Sequence, residues 1–208
     1  KGYTRHPGSL YRVFIRLGYR QKIESTKEKS KHNGKYDTPE NIGIKWQLDV
    51  KYVPEACYSG NDGEKFYQYT IIDEADRERF IYPYKEHSGY STVDFVKRAI
   101  IYFGYAPEII QTDNGSEFCN TQKTKRIHIF DKFCSELNIH HKTIRPRTPW
   151  HNGKVERSHR NDQERFYNHL KFYSYEDLLV QMKRYLKRSN NIPMAVLGWK
   201  TPLQKRQE

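Results

Sequence analysis

Apolar and polar side chains alternate most clearly in the segment "KWQLDVKYV", residues 45–53. A period of two predicts a β-strand whose two faces differ. The apolar face carries Trp46, Leu48, Val50 and Tyr52, and the polar face carries Gln47, Asp49 and Lys51. This strand therefore has an acid at the centre of its polar face.

Two further strands follow from aromatic and β-branched runs. The segments "KFYQYTIID" (65–73) and "RFIYPY" (79–84) have this composition, and the polar stretch "EADRE" joins them. We expect the three strands to form an antiparallel meander.

The period then changes to that of α-helices. "STVDFVKRAIIYFG" (91–104) opens with a capping-box pattern, Ser91 and Asp94, and stops at Gly104. "IFDKFCSELN" (129–138) has helical spacing, and "SYEDLLVQMKRYLKR" (174–188) is opened by Ser174 and Asp177. The predicted core stripes are Val96, Ala99, Ile100 and Phe103 in the first helix, Ile129, Phe133 and Leu137 in the second, and Leu178, Met182, Tyr185 and Leu186 in the last.

Shorter elements lie between these helices. "PEIIQTDNGSEF" (107–118) predicts a strand that ends in a turn at Asp113, and "IHHKTI" (139–144) predicts a fifth strand. "NGKVERSHRNDQERFYNHLKF" (152–172) has no breaker after Gly153 and predicts one long helix. We expect residues 120–128 to be an inserted loop and the tail, 190–208, to be irregular. The pattern as a whole predicts an α/β domain.

The N-terminal part differs from the rest. "SLYRVFIRLG" (9–18) predicts a short amphipathic helix with Ser9 as its N-cap and Gly18 after its end. Its apolar stripe is Leu10, Val13, Phe14 and Leu17, and Arg5, Arg12, Arg16 and Arg20 surround it. It is either the last helix of a DNA-binding helix-turn-helix or a solvated basic helix. Residues 21–41 carry charge, Gly, Ser and Pro and predict a basic linker.

Charge points to a polyanionic partner. The 208 residues contain 37 Lys and Arg against 25 Asp and Glu, a net charge of +12. An excess of this size favours nucleic acid, although a soluble protein with a basic surface fits as well. Three cysteines without a C-x-x-C spacing indicate neither a disulfide framework nor a zinc knuckle, and the histidines near Cys134 match no tetrahedral pattern either. We expect a cytoplasmic protein without a membrane span and, since it begins at Lys1, part of a longer chain.

Three acids have settings that suit catalysis. Asp49 interrupts a strand, Asp113 ends another at a tight turn, and Glu156 lies in the first turns of a helix. Carboxylates are the ligands that Mg²⁺ prefers, and two such ions support phosphoryl transfer. Asp73 fits a turn role better, because Asp accepts backbone hydrogen bonds where strands end. We expect Glu64, Asp76 and Glu117 to be solvated.

Three phrases together carry a family resemblance. "QLDV", "QTDNGSEF" and "TPWHNGKVERSHR" resemble the DDE motif of bacterial insertion-sequence transposases, whose core is similar to that of retroviral integrases. The tail "NNIPMAVLGWKTPL" is similar to the segment that closes such cores. The resemblance implies a ribonuclease-H-like fold, a mixed five-stranded sheet flanked by helices, with a partial helix-turn-helix remnant at the N-terminus. It also implies a bacterial protein that is cytoplasmic and associated with the nucleoid.

The resemblance further implies a reaction and its ligands. Asp49, Asp113 and Glu156 would bind two Mg²⁺ or Mn²⁺ ions, and the enzyme would hydrolyse an element end and then join its 3′-hydroxyl to target DNA. Two departures are visible: 42 residues, 114–155, separate Asp113 from Glu156, more than usual, and position 163 is Gln where relatives carry a basic residue. A nuclease that stops at hydrolysis and a DNA-binding module with inert acids are the alternatives.

The expected DNA contacts surround Glu156. His159 and Arg160 share its helix face, although Arg160 could instead pair with Glu156. Cations and helix amides before Glu156 suit phosphate, and two rings suit stacking on an unpaired base. The predicted DNA-binding residues are Arg145, Arg147, Trp150, His151, Asn152, Lys154, His159 and Arg160.

The resulting organisation has four parts. Residues 1–20 end a helix-turn-helix region, 21–41 form the linker, 42–170 form the catalytic core, and 171–208 form its C-terminal helix and tail. Because two DNA ends must be joined, the resemblance implies a homo-oligomer assembled on element ends and target DNA.

Overall fold

A computed structural model describes residues 6–19, 38–60, 63–120, 126–144 and 149–208, with only the backbone for Pro7, Pro149 and Trp150. The chain divides into two compact units, residues 1–35 and 36–208. Among the described residues, no helix is both long enough and apolar enough to cross a membrane. Most of the predicted linker lies outside the described residues, as do residues 121–125 of the predicted insertion at 120–128.

The first unit contains one described helix, α1 (Pro7–Arg16). Its N-cap is His6 rather than the predicted Ser9, and the His6 ring accepts a hydrogen bond from the Gly8 amide. Pro7 explains the difference, because proline is well suited to the first helical position. Gly18 has φ 72° and confirms the predicted end. The predicted apolar stripe is exposed, and Arg5 and Arg20 lie outside the described residues.

The second unit is built on a mixed five-stranded sheet, which confirms the predicted fold class. Its order is β3-β2-β1-β4-β5. The β1–β2 and β2–β3 pairs are antiparallel, and the β1–β4 and β4–β5 pairs are parallel. The strands are β1 (Lys45–Tyr52), β2 (Tyr67–Asp73), β3 (Arg79–Tyr84), β4 (Ile109–Thr112) and β5 (His140–Thr143).

Helices cover both faces of this sheet. The helices of this unit are α2 (Gly89–Phe103), α3 (Ile129–Glu136), α4 (Gly153–Arg165), α5 (Tyr175–Asn190) and α6 (Pro202–Arg206). One core joins the apolar face of β1 to α2 and α3 through Trp46, Leu48, Phe95 and Phe130. A second core joins β3 to α5 through Ile81, Leu178 and Met182. The predicted opening of α5 at Ser174 and its predicted core stripe are confirmed.

The start of α2 differs from the prediction. Its N-cap is Ser88, whose hydroxyl accepts from the Ser91 amide, and the predicted capping residue Asp94 instead pairs with Arg98 at 2.7 Å. Ser88 is the N-cap because it has the extended backbone that this position requires. The predicted end is right, since Gly104 has φ 75°.

Helix α4 is shorter than predicted. It ends at Arg165, and Phe166 leaves the helical conformation with φ −126° and ψ −64°. The Phe166 ring stacks on Tyr185 of α5 with centroids 4.5 Å apart. A 3₁₀ turn, Tyr167–His169, follows and buries Tyr167. Packing against α5 therefore ends a helix that carries no sequence breaker.

The prediction of an irregular tail was wrong in part. Residues Ala195–Leu197 form a 3₁₀ turn, and α6 begins at a complete capping box between Thr201 and Gln204. Arg206 of α6 then reaches Glu78 at 2.7 Å and so fixes the tail to the start of β3.

Candidate active site

Two of the three predicted acids come from neighbouring parallel strands. The register pairs Gln47 of β1 with Gln111 of β4. Two residues further along each strand lie Asp49 and Asp113, so parallel pairing brings these acids to the same edge of the sheet. Asp113 follows the end of β4, and its Oδ1 accepts from the Gly115 amide at 3.0 Å, which fixes the turn.

The third acid is delivered by helix α4, and β1 itself caps that helix. Asn152 occupies the N-cap position without a side-chain cap hydrogen bond. Instead, Gln47 Oε1 accepts from the amides of Lys154 and Val155 at 3.0 and 3.1 Å. Free amides at a helix start need such an acceptor. The strand that carries Asp49 thus also fixes the helix turn that carries Glu156.

The loop before α4 is held by the same pair of glutamines. Gln47 and Gln111 both donate side-chain hydrogen bonds to the His151 carbonyl, at 2.9 and 2.7 Å. Both glutamines are buried. The predicted site residue His151 is therefore anchored through its backbone.

The polar face of β1 matches α4 along its length. Gln47 Oε1 accepts from the Val155 amide at 3.1 Å, Asp49 lies 3.4 Å from His159 Nδ1, and Lys51 donates to Gln163 at 3.4 Å. Two strand residues advance about 6.8 Å and four helix residues about 6 Å, so the contacts stay in step. This match aligns the acid on β1 with the acid on α4.

A buried cluster around Asp162 holds the second half of α4. Asp162 Oδ1 lies 2.7 Å from Arg79 Nη1 and accepts from the Tyr185 hydroxyl at 2.8 Å, while Oδ2 accepts from Gln68 at 2.7 Å. Tyr167 in turn donates to Gln68. We call Asp162, Arg79, Gln68, Tyr185 and Tyr167 the anchor cluster. The spacing of Val155, Ser158 and Asp162, all buried, is the sequence signal that could have identified it.

Burial and neighbouring charges raise the pKa of two of the three acids. Partial burial raises the pKa of Asp113 above its ordinary value, and the charges of Asp49 and Glu117 raise it further. Glu156 is exposed on α4, yet desolvation and then Asp49 raise its pKa, with a smaller contribution from Asp113. His159 and Arg160 act in the opposite direction on Glu156. Like charges are therefore gathered here at a cost that a cation would reduce.

The donor set suits a hard divalent cation. Carboxylate oxygens are the preferred ligands of Mg²⁺ and Mn²⁺. Buried polar atoms around the acids also lack a hydrogen-bond partner among the described residues, namely Glu117 Oε2, Asn152 Oδ1 and His159 Nε2. Such atoms are expected where an ion or water belongs. Within the described ranges, however, no three His, Cys, Asp or Glu side chains are close enough to hold a metal ion in this conformation.

Sequence reasoning missed the burial of two acids. Glu117 is 6% exposed and pairs with His87 at 2.8 Å, and Asp76 is fully buried. The expectation that both are solvated was wrong, because each lies in a turn that folds back onto the sheet. Burial raises the pKa of Asp76 to about 7.

The other predicted DNA contacts have varied settings. Arg145 and Arg147 lie outside the described residues, as does the side chain of Trp150. Asn152 is buried and its Nδ2 lies 3.5 Å from the Leu48 carbonyl. Lys154 pairs with Glu74 and donates to Thr38 at 3.0 Å, while Arg160 is exposed.

The turn role predicted for Asp73 is confirmed, and two of the histidines near Cys134 have partners within the fold. Asp73 accepts from the Ala75 amide at 2.9 Å and from the Trp46 indole at 3.0 Å, so it holds the turn after β2. His141 lies between Asp131 and Thr112, and His128 caps α3. These side chains therefore have structural partners.

Comparison with known proteins gives consistent results. Residues 40–149 match the family described as Integrase core domain, and residues 137–202 match a second family model with the same description. The chain is 38% identical over 144 residues to the "Putative integrase ORF3" of Spiroplasma virus SpV1-C74, covering 65% of this chain and 39% of that protein. It is 29% identical over 140 residues to the retrovirus-related Pol polyprotein from transposon TNT 1-94 of Nicotiana tabacum, covering 64% of this chain and 10% of that protein. The chain thus spans well under half the length of these relatives.

Solved structures share the fold. The HTLV-2 integrase catalytic core domain in complex with magnesium, in its trimeric form, superposes with a TM-score of 0.57 at 20% identity, covering 79% of this chain and 96% of that one. An intasome of simian T-cell lymphotropic virus gives a TM-score of 0.62 at 19% identity, covering 86% of this chain and 62% of that one.

Proposed function

Because the chain belongs to the integrase core domain family, we propose that it is the catalytic part of a DNA transposase or integrase. Its reaction would be cleavage of DNA at an element end followed by joining of the 3′-hydroxyl to target DNA. The observation that carries this proposal is the convergence of β1, β4 and α4. The parallel register brings Asp49 and Asp113 to one edge of the sheet, and Gln47 of β1 caps the helix turn that carries Glu156.

We propose Asp49, Asp113 and Glu156 as the residues that hold divalent cations, Mg²⁺ or Mn²⁺. When bound, two such ions would activate the attacking oxygen and stabilise the leaving oxygen. The raised pKa values of Asp113 and Glu156 support this assignment, because a cation favours their ionised forms. We propose two ions per site.

The surrounding residues position the acids and the DNA. His159, 3.4 Å from Asp49, orients that carboxylate from the helix side. Arg160 is exposed beside Glu156 and is available to a phosphate. Arg145, Arg147, Trp150, His151, Asn152 and Lys154 stay predicted DNA contacts. Lys154 is paired with Glu74, so it would have to break this ion pair, or bind both groups, to contact DNA.

We also propose DNA as the partner and a homo-oligomer as the working assembly, since two ends must be brought together. An assembly of this kind should appear by light scattering as a DNA-dependent increase in mass. The predicted cytoplasmic, nucleoid-associated location stays a prediction.

The test is a cleavage and joining assay. The purified chain is incubated with end-labelled element-end DNA and Mg²⁺ or Mn²⁺, and shortened and joined products are separated by size. Asp49→Asn, Asp113→Asn and Glu156→Gln should each lower product formation by more than about a hundredfold. The matched control is Glu164→Gln, an exposed acid on the same helix, which should keep full activity.

Each alternative gives its own pattern. Shortened products without joined ones would indicate a nuclease that stops at hydrolysis. DNA binding without cleavage in either metal would indicate a binding module. Full activity of any of the three carboxylate variants would refute the role of that residue.

A further inference from the structure

The turn after β4 contains a fourth carboxylate that the proposed function does not use. Glu117 lies in the same turn as Asp113, and its exposed fraction is only 6%. One of its oxygens, Oε1, accepts from His87 Nε2 at 2.8 Å. The other, Oε2, is buried and finds no hydrogen-bond partner in the described segments. Burying a charged group without full pairing is unfavourable, so such an oxygen is expected where water or an ion binds.

Both carboxylates of this turn adjoin Gly115. Asp113 Oδ1 accepts from the Gly115 amide at 3.0 Å. A Cβ atom at position 115 would lie 2.4 Å from Glu117 Oε2 and 2.5 Å from Oε1, closer than Cβ atoms approach in proteins. The φ of Gly115 is not positive, so space rather than backbone conformation favours glycine here. The missing side chain therefore lets the unpaired oxygen of Glu117 lie against the turn that carries Asp113.

The fold fixes the orientation of the Glu117 carboxylate. The Thr92 hydroxyl of α2 lies 3.0 Å from the Glu117 carbonyl and 3.1 Å from the Ser88 carbonyl. This contact joins the turn after β4 to the segment that carries His87. The His87 ring also stacks on Tyr67 of β2, with centroids 5.3 Å apart and planes inclined by 9°. Because His87 is held in this way and binds Oε1, the position of Oε2 is fixed as well.

The charge of Glu117 acts on Asp113. Burial raises the pKa of Asp113, the charges of Asp49 and Glu117 raise it further, and His87 lowers it. A cation beside Asp113 would reduce this repulsion. In the part of the chain that the structure describes, no three acidic, histidine or cysteine side chains are close enough to hold an ion directly. Because Mg²⁺ usually keeps several of its waters, a contact between Glu117 and the ion through one of these waters fits both observations.

We propose that Glu117 belongs to the metal site, where its Oε2 accepts a hydrogen bond from a water of the Mg²⁺ or Mn²⁺ ion that Asp113 holds. His87 and Gly115 position the Glu117 carboxylate for this contact. The contact raises the affinity for the ion, because acceptors in the outer shell orient the groups of the inner shell. This inference rests on the proposed function, since it requires a cation at Asp113.

Metal binding, rather than catalysis, tests it. Each chain is titrated with Mn²⁺ in the absence of DNA, free Mn²⁺ is measured by electron paramagnetic resonance, and thermal unfolding is followed in EDTA. Glu117→Gln removes the charge but keeps the shape and an acceptor for His87. The matched control is Glu108→Gln, since Glu108 is exposed at the opposite end of β4. Asp113→Asn reports on the proposed metal ligand.

Glu117→Gln should bind Mn²⁺ about tenfold more weakly than the parent chain. Its melting temperature in EDTA should stay within about 4 °C of the parent's, because the contact with His87 is kept. A carboxylate that serves only the fold would leave the Mn²⁺ affinity of this variant unchanged. Glu108→Gln should bind Mn²⁺ within about twofold of the parent, because solvent screens a distant exposed charge. Asp113→Asn should lose most of the binding.

Two results would overturn the inference. If Glu117→Gln binds Mn²⁺ as tightly as Glu108→Gln does, Oε2 makes no contact with the hydrated ion. If the melting temperature of Glu117→Gln in EDTA falls by more than about 4 °C, the carboxylate stabilises the metal-free fold instead. A different result, equal binding of Mn²⁺ by the parent chain and Asp113→Asn, would refute the proposed metal site itself. The failure of the inference and the failure of the proposed function are therefore distinguishable.

Discussion

Helix α4 takes part in two polar clusters of opposite character. The anchor cluster pairs Asp162 with Arg79, Gln68 and Tyr185, so every charge there has a complementary neighbour. Six residues earlier lies Glu156, and burial, followed by the charge of Asp49, raises the pKa of both Glu156 and Asp113. The anchor cluster holds the helix on the sheet. The group of like charges would be stabilised by a bound cation. Different residues of one helix thus stabilise the fold and form the candidate site.

Removing the anchor should give the largest effect on stability. Asp162→Ala leaves the buried guanidinium of Arg79 without its carboxylate and should lower the free energy of unfolding by about 3–5 kcal/mol. For a chain of this size the melting temperature should fall by roughly 10 °C. Thermal unfolding followed by circular dichroism checks this. Glu164→Ala, an exposed acid two residues away, should change the free energy of unfolding by less than about 0.5 kcal/mol. If Asp162→Ala and Glu164→Ala lower the free energy of unfolding equally, the anchor cluster does not hold the helix on the sheet.

The cap supplied by β1 links the two clusters, and its loss should affect both stability and activity. Gln47→Leu leaves the amides of Lys154 and Val155 without their acceptor and should cost about 2–3 kcal/mol. Joining activity should fall as well, because Glu156 lies in the turn that Gln47 fixes. Denaturant unfolding and the joining assay measure the two effects. Gln207→Leu, at an exposed position directly after α6, serves as the control. A stable but inactive Gln47→Leu protein would show that the cap positions Glu156 without holding the helix.

The smallest expected effect is a gain in stability at the carboxylates. The pKa of Asp113 is raised by folding, so its ionisation removes stability as the pH rises through the folded pKa. Below the ordinary value of 3.8 this loss is absent. Asp113→Asn cannot ionise and should therefore be as stable as the parent at low pH and slightly more stable, by up to about 1 kcal/mol, at pH 7.

Denaturant unfolding of both proteins between pH 3 and pH 8 checks this difference. A variant that is less stable than the parent at pH 7 would mean that Asp113 stabilises the metal-free fold, as Asp162 does.

Local patterns were enough to predict the strands and the positions of two acids on them. The alternation in residues 45–52 gave β1 with its polar face, and Asp113 was placed at the end of β4. Family resemblance then indicated which acids belong together. Neither signal could reveal the partners of Gln47, because a buried glutamine that caps a helix whose amides lie 107 and 108 residues away leaves no local pattern.

The errors have the same physical origin. Helix α4 ends at Arg165 because Phe166 packs on Tyr185 of α5, and a contact between distant segments overrides helix propensity. Asp76 and Glu117 were expected in solvent because turns usually are exposed. Their turns fold back onto the sheet, and His87 pairs with Glu117.

The central claim is that Asp49, Asp113 and Glu156 form one metal site. The most direct measurement is anomalous X-ray diffraction from crystals of the chain soaked in Mn²⁺. The account predicts anomalous density bounded by these three carboxylates, and its loss in crystals of Asp113→Asn. Ordered Mn²⁺ elsewhere on the protein, with none at the three acids, would contradict it.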